Sequence, residues 1–214
     1  MITTSDNRLM VGPNTIPNIQ PMSWSAENVP RLWQPLAVKL KEDIRRKVTK
    51  NASEIHDVLR ILLMNDCILS GSSISSIYHG EEPKDYDFWM KPKPFLKVEA
   101  IRQNIIELYS ADIVDISENY GAPGAKGAPA LCVTANAITF KNKFQLITLK
   151  DYYSARKTFD FVHCMPYFDF MEDKFVISER QFSIIQQKRL VSNNPGNIIP
   201  PYRVEKFKNR GWTQ

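Results

Sequence analysis

Asp85 and Asp87 are two carboxylates separated by one residue, in a segment (85–90) where polar and apolar residues alternate. Residues two apart in a β-strand point to the same side, so the two carboxylates project together while Tyr86 and Phe88 face the other way. Two hard oxygen donors on one face are typical of a Mg²⁺ site. Two such ions, about 3.5–4 Å apart, can activate an attacking hydroxyl and stabilise a leaving pyrophosphate. A third carboxylate from a neighbouring strand usually completes such a site.

Gly71 and Ser72 lie between a predicted short strand (67–70) and a predicted short helix (74–78). Free backbone N–H groups at a helix start attract phosphate, and glycine allows the phosphate to approach the backbone closely. The Ser72 hydroxyl adds a further donor, although it could equally cap the short helix. The segment therefore predicts a phosphate site close to the aspartate pair.

The segment 69–89 resembles the polymerase-β-like nucleotidyltransferase superfamily, whose signature is a strand, Gly-Ser or Gly-Gly, a short helix and Asp-x-Asp. Its spacing is most similar to class II CCA-adding enzymes and bacterial poly(A) polymerases. The residues that match this pattern are Gly71, Gly80, Pro83, Lys84, Asp85 and Asp87. Ser72 replaces the second glycine of the pattern, and Ser75-Ser76 replace its Arg-Asp pair. The helical tRNA-binding body of that branch has no counterpart here, so specific CCA addition is not expected.

The resemblance implies that Asp85, Asp87 and Asp160 are catalytic and hold Mg²⁺, while Gly71, Ser72 and Lys84 bind a nucleoside triphosphate. Asp160 lies between two phenylalanines, which fits the hydrophobic-acid-hydrophobic pattern that the superfamily uses for its third carboxylate. Gln145, on the second strand of a predicted hairpin, is the alternative occupant of that position. With Gln145 there, the metal site lacks one carboxylate.

The back half is similar to uncharacterised nucleotidyltransferase-like proteins of phages, large viruses and some eukaryotic genomes, over 144–147, 159–164 and 203–212. This second resemblance implies a viral or mobile-element origin, and we expect the protein to be encoded by a phage or virus. It leaves two functions open. One is a nucleotidyltransferase that moves a nucleoside monophosphate from a nucleoside triphosphate to a hydroxyl of an unknown nucleic-acid, protein or other acceptor. The other is a catalytically silent protein of the same fold that serves assembly of a virus particle, through residues 1–35.

The elements that position these residues form one α+β domain (36–214), a nucleotidyltransferase-like mixed β-sheet flanked by helices, preceded by an extended arm (1–35). The arm holds five of the 14 prolines and shows no apolar period. We expect a basic amphipathic helix over 36–50 and a second helix capped by Asn51 or Ser53. The predictions for the second half are a hairpin over 130–149, strands at 159–164 and 175–177, a helix from Ser178 to Leu190, and a basic tail folded over the core by Phe207 and Trp212.

Composition limits the class of protein. The 214 residues are 43% hydrophobic and 24% charged, which fits a single globular domain. Three cysteines indicate a reducing compartment without a disulfide framework. No segment reaches the roughly 18 apolar residues of a membrane span, so we expect a soluble protein without membrane contact, in the host cytoplasm or a virion. The net charge of +5 is a mild bias towards phosphate-bearing partners, and the basic helix face is interpreted as solvated, with nucleic-acid contact as the alternative.

Overall fold

A computed structural model of the chain describes residues 24–25, 33–91, 98–117, 137–148, 152–194, 196 and 198–214. Most of the predicted arm and the glycine-rich segment 120–129 lie outside the described residues. The division into an arm and a domain therefore stays a prediction. No helix in the described ranges combines the length and apolar character needed to cross a bilayer.

Seven helices and eight strands make up the described part of the fold. The helices are α1 (Gln34–Ala52), α2 (Asp57–Asp66), α3 (Ser72–Tyr78), α4 (Val98–Leu108), α5 (Tyr152–Arg156), α6 (Glu179–Gln186) and α7 (Pro201–Lys208). The strands are β1 (Trp24–Ser25), β2 (Cys67–Ser70), β3 (Tyr86–Met90), β4 (Ile113–Ser117), β5 (Ala137–Phe140), β6 (Phe144–Ile147), β7 (Tyr167–Asp169) and β8 (Lys174–Ile177). They form one sheet in the order β1-β8-β7-β2-β3-β6-β5-β4. Among the strands that the structure describes, only β3 and β6 pair in parallel, so the predicted α+β class with a mixed sheet is confirmed.

Helix α1 forms because an apolar residue recurs at every fourth position. Leu40, Ile44 and Val48 are buried along one side of the helix. The basic residues on its other sides are partly matched by acids of other elements. Lys41 and Arg45 both pair with Asp173, at 3.1 and 2.5 Å. This side of α1 is therefore largely a solvated, ion-paired face.

The predicted cap of the second helix is wrong. Helix α1 continues through Ala52, which is buried, and Ser53 lies at its carboxyl end. The imidazole of His56 caps α2 instead, with Nδ1 accepting from the backbone N–H of Val58 at 3.3 Å. Burial of the fourth-residue apolar repeat extends α1 past the polar residues that could have ended it.

The hairpin is confirmed as β5 and β6, with residues 130–136 outside the described part. The strand predicted at 159–164 is wrong: Val162–Cys164 forms a 3-10 turn, and Phe161 makes a single bridge to Ser192. Strand β7 takes the place beside β2 instead. A short apolar run is buried equally well in a strand or in a packed turn, so its hydrophobicity alone could not distinguish the two. Ser178 caps α6 as predicted, but that helix ends at Gln186 rather than Leu190.

Alternate residues of the central strands belong to two different apolar clusters. Leu69, Phe88 and Leu146 belong to a large cluster that includes the buried sides of α1 and α2. Ile68, Trp89 and Ile147 face the other way and join a small cluster with Tyr152 and Tyr167. The large cluster is the main core, while the opposite face of the sheet has only a small apolar area.

Candidate active site

A row of four polar side chains crosses the sheet on the face that carries the small cluster. The strand register pairs Ser70 with Asp87, Asp87 with Gln145, and Gln145 with Thr139. The row therefore follows β2, β3, β6 and β5 in their spatial order. Because paired residues share a face, the alternation that buries Phe88 on one side presents Asp87 on the other.

Gly71 closes one end of this site, and its lack of a side chain is required there. Its φ of +102° lies in a region that L side chains rarely adopt. A Cβ at this position would lie 2.4 Å from Oδ2 of Asp87. The backbone N–H of Gly71 donates to the carbonyl of Cys164 at 3.0 Å, so it is not the free phosphate donor that the sequence pattern suggested. Ser72 begins α3 directly beside this turn and is half-buried.

Asp85 lies just before β3 and Asp87 lies within it. Burial raises the pKa of the Asp87 carboxyl well above its usual range, and the nearby charge of Asp85 raises it further. The positive charges of Lys206 and Arg203 act in the opposite direction but do not overcome those effects. A divalent cation would offset both the desolvation and the repulsion of the pair, so these two carboxylates fit a Mg²⁺ ion.

The third ligand predicted from the sequence, Asp160, makes an ion pair with a residue of α7. Asp160 lies in the turn before the 3-10 segment, where its carboxylate pairs with the guanidinium of Arg203. Gln145 is the residue in register with Asp87, and its Nε2 donates to Oγ1 of Thr139 at 3.2 Å. Within the described ranges, no three His, Cys, Asp or Glu side chains come close enough together to hold a metal ion.

The segment that connects α3 to Asp85 forms ion pairs with four other parts of the fold. Glu81 pairs with Lys188 at 2.5 Å and with Arg210 at 3.1 Å. Glu82 pairs with Lys47 at 3.0 Å and, at 3.4 Å, with Lys143. These contacts fix the approach to Asp85, and no local sequence pattern signals them because the partners are distant in the chain. Lys84, predicted to bind the nucleotide, is exposed in this segment.

Arg210 also donates to the hydroxyl of Ser76, at 2.5 Å. Ser76 is one of the two residues that replace the Arg-Asp pair of the CCA-adding pattern. The structure therefore brings an arginine from the end of the chain to this position. Sequence reasoning missed Glu81 as a site-supporting residue, because its ion pairs with Lys188 and Arg210 depend on tertiary folding.

Helix α7 and Trp212 pack against the 3-10 segment that contains His163. Phe207 and Trp212 are 3% and 2% exposed, which confirms that the basic tail folds over the core. They enclose the ring of His163, whose centroid lies 4.5 Å from that of Phe207 and 4.0 Å from that of Trp212. Burial, with a smaller contribution from Arg210, lowers the pKa of His163 to about 3, so it is a neutral core residue.

These features define an α+β protein whose mixed sheet carries a paired-aspartate strand against a glycine turn. Residues 40–188 match the family described as "Gad2: Gabija anti-defense 2 family protein". The match covers more than half of the chain, so the chain belongs to the Gabija anti-defense 2 family. No curated protein matches the chain in sequence.

Three solved structures resemble the chain in part. A tRNA nucleotidyltransferase with a primer tRNA and an incoming ATP analogue is 10% identical, with a TM-score of 0.45 over 69% of this chain and 43% of that one. The Thermotoga maritima CCA-adding enzyme with tRNA is 11% identical, with a TM-score of 0.42 over 69% and 36%. A tRNA-processing enzyme in an apo form is 11% identical, with a TM-score of 0.46 over 86% and 44%. The chain thus spans less than half of each of these proteins.

Proposed function

We propose that this protein is a metal-dependent nucleotidyltransferase, and that its transfer of a nucleoside monophosphate counters the Gabija defence named in its family's description. The main support is the pair of carboxylates Asp85 and Asp87. The Asp87 carboxylate occupies the space that a side chain on Gly71 would need. The sequence resemblance to the nucleotidyltransferase superfamily supports the reaction class, and family membership supports the anti-defence role. Action in the host cytoplasm and a phage or viral origin belong to this proposal.

Asp85 and Asp87 hold Mg²⁺ in this proposal. When bound, the ion supplies Lewis-acid chemistry that lowers the cost of charge on the attacking and leaving oxygens. Ser72 and Lys84 contact the phosphates of the nucleoside triphosphate, and Gly71 leaves room for Asp87 beside them. An acceptor hydroxyl, of a nucleic acid or a protein, loses its proton to solvent and forms the new bond to the α-phosphorus, while the bond to the pyrophosphate oxygen breaks and pyrophosphate leaves.

The test is the double variant Asp85→Asn with Asp87→Asn, which keeps the shape of both side chains and removes their charge. Transfer from a labelled nucleotide to pooled RNA and protein acceptors is measured with Mg²⁺, together with suppression of Gabija defence in cells that carry it. We expect both to be lost. Asp57→Asn is the matched control, because Asp57 is an exposed acid whose partner is Arg60 in the same helix. No transfer by the wild type with any acceptor would contradict the proposal.

A second candidate is a protein of this fold that binds without turnover. It is favoured by the neutral Gln145 beside Asp87 and by the pairing of Asp160 with Arg203, which leave two carboxylates where the superfamily pattern has three. In that case the double variant still suppresses Gabija defence. Deletion of residues 1–23, which leaves β1 in place, would instead abolish suppression if the arm mediates assembly with a partner.

A further inference from the structure

Arg156, at the carboxyl end of α5, lies at one end of the polar row. Its guanidinium carbon is 5.2 Å from the centre of the Tyr167 ring. The strand register pairs Tyr167 with Ser70, and Ser70 with Asp87. Because paired residues share a face, Tyr167 lies directly beyond Ser70 on the face that carries the candidate site. The guanidinium is therefore on the same face as the aspartate.

Helix α5 is held over this face by Tyr152, which is fully buried. The ring centroid of Tyr152 lies 5.8 Å from that of Tyr167 and 5.8 Å from that of Trp89. Trp89 follows Asp87 by two residues on β3, so the two side chains point to the same side. Tyr152 and Arg156 are four residues apart and share one side of the helix. The packing of α5 thus turns Arg156 towards the face that carries the aspartate.

Two consecutive carbonyl groups connect Arg156 to the turn at Gly71. The Met165 carbonyl accepts from Nε of Arg156 at 2.9 Å. The carbonyl of Cys164, the preceding residue, accepts from Gly71 N–H at 3.0 Å. Consecutive Cα atoms are only about 3.8 Å apart. A side chain on Gly71 would in turn clash with the Asp87 carboxylate. A short chain of direct contacts therefore leads from the guanidinium to the aspartate strand.

The guanidinium of Arg156 is fixed in place, yet only part of its donors are used. Its Nε is bound to Met165, and its carbon lies over the Tyr167 ring. Among the residues that the structure describes, its two Nη groups have no hydrogen-bond acceptor and no carboxylate partner. The side chain is half-buried, so solvent and ligands can reach it. A guanidinium held in this way presents a planar fork that matches the oxygens of a phosphate.

We propose that Arg156 binds a phosphate group of the substrate beside the aspartate pair. This inference rests on the proposed function and names a residue that binds its substrate. Two carboxylates by themselves repel an anionic substrate, whereas a guanidinium attracts it through charge-assisted hydrogen bonds. The phosphate belongs to the polyphosphate of the nucleotide or to the backbone of a nucleic-acid acceptor, since both present the same oxygens to a guanidinium.

The experiment measures binding by calorimetry in EDTA, so that neither metal nor turnover is needed. The probes are inorganic tripolyphosphate, ATP and a short single-stranded RNA without terminal phosphates. Arg156→Ala is expected to weaken binding about tenfold, which corresponds to about 1.4 kcal/mol. A loss with tripolyphosphate and ATP assigns the site to the nucleotide, and a loss with RNA alone assigns it to the acceptor.

Arg180→Ala is the matched control. Arg180 is an exposed arginine of α6, whose buried side chains Phe182 and Ile185 belong to the large apolar cluster on the other face of the sheet. Its affinities should stay within about twofold of the wild type.

Arg156→Lys separates phosphate binding from packing. It keeps the positive charge but loses the planar group that contacts Met165 and Tyr167. We expect it to recover part of the affinity lost in Arg156→Ala. Circular dichroism and thermal melting verify the folding of every variant.

Equal binding of all three probes by folded Arg156→Ala and by the wild type would overturn the inference, as would a wild type that binds none of them. Equal losses of affinity in Arg156→Ala and Arg156→Lys, with lowered melting temperatures, would assign the residue to packing of α5 and also overturn it. These results are distinguishable from failure of the proposed function. A protein that binds phosphate through Arg156 but transfers no nucleotide keeps the inference and loses the reaction, and transfer that is insensitive to Arg156→Ala does the reverse.

Discussion

Phe144 and Gln145 are neighbours on β6, yet they belong to opposite faces of the sheet. Phe144 is fully buried in the large apolar cluster beneath α1 and α2. Gln145 lies half-buried in the polar row beside Asp87. The apolar face of the sheet therefore stabilises the fold, and the opposite, polar face carries the candidate site. Substitutions on the two faces should consequently affect different properties of the protein.

The largest expected effect is on the apolar face. Phe144→Ala removes a fully buried ring in contact distance of Tyr86 and Phe88, so it should lower the free energy of unfolding by about 3–5 kcal/mol. Gln145→Ala, one position further, should cost less than about 1.5 kcal/mol, because it loses one hydrogen bond at a partly exposed position. Chemical denaturation of both variants measures the difference. Similar losses for the two would contradict the division between faces.

The second-largest loss of stability is expected in the turn at Gly71. Gly71→Ala should cost about 1–3 kcal/mol from its backbone conformation alone, and the clash with Asp87 adds to it and displaces the carboxylate. Gly80→Ala is the matched control: its φ is also positive, at +69°, but a Cβ there meets nothing within 4 Å. We expect Gly80→Ala to keep the proposed transfer and Gly71→Ala to lose it. Denaturation and the labelled-nucleotide assay distinguish them.

A smaller effect depends on pH. His163 has a pKa of about 3 in the fold against an ordinary value of 6.5, so between these values the unfolded chain binds more protons than the folded one. Stability should therefore fall as pH drops below about 6, by up to about 1.4 kcal/mol per pH unit from this one group. His163→Phe should reduce that slope. An unchanged pH dependence of unfolding would show that His163 is not the buried neutral group described.

The smallest effect is on the surface. Lys47→Ala breaks one of the two ion pairs of Glu82, which are both exposed, and should change the free energy of unfolding by less than about 1 kcal/mol. The remaining pair with Lys143 keeps Glu82 in place. A loss above about 2 kcal/mol would mean that the segment before Asp85 depends on this contact far more than an exposed pair allows. Urea denaturation at low and high salt measures it.

Local patterns in the sequence predicted those helices and strands whose structure depends on residues close together in the chain. The fourth-residue repeat of α1, the alternation at 85–90 and the Ser178 capping box each report a periodicity or a hydrogen bond within a few residues. The register of the sheet then brings Asp87, Gln145 and Ser70 together. Sequence reasoning named Gln145 as one of two alternatives but could not choose, because strand pairing is a tertiary property.

The mistakes have a common physical origin. Asp160 was expected on a strand because phenylalanines flank it, but those rings contribute to packing around a turn instead. Its partner Arg203 lies more than 40 positions away in the chain, as do the partners of Glu81. Such ion pairs leave no local trace in composition or period. The ion pairs of Arg203 and Arg210 were therefore outside the reach of pattern-based prediction.

The most direct test of the account is the single variant Asp87→Asn, measured for both stability and function. Asp87 is a half-buried carboxylate whose charge is disfavoured in the fold, so the amide should leave the free energy of unfolding at pH 7 unchanged or higher. Suppression of Gabija defence should nevertheless be lost. A variant at least as stable as the wild type but inactive is the predicted result. Full suppression by a folded Asp87→Asn protein would contradict the claim that the polar face is the functional site.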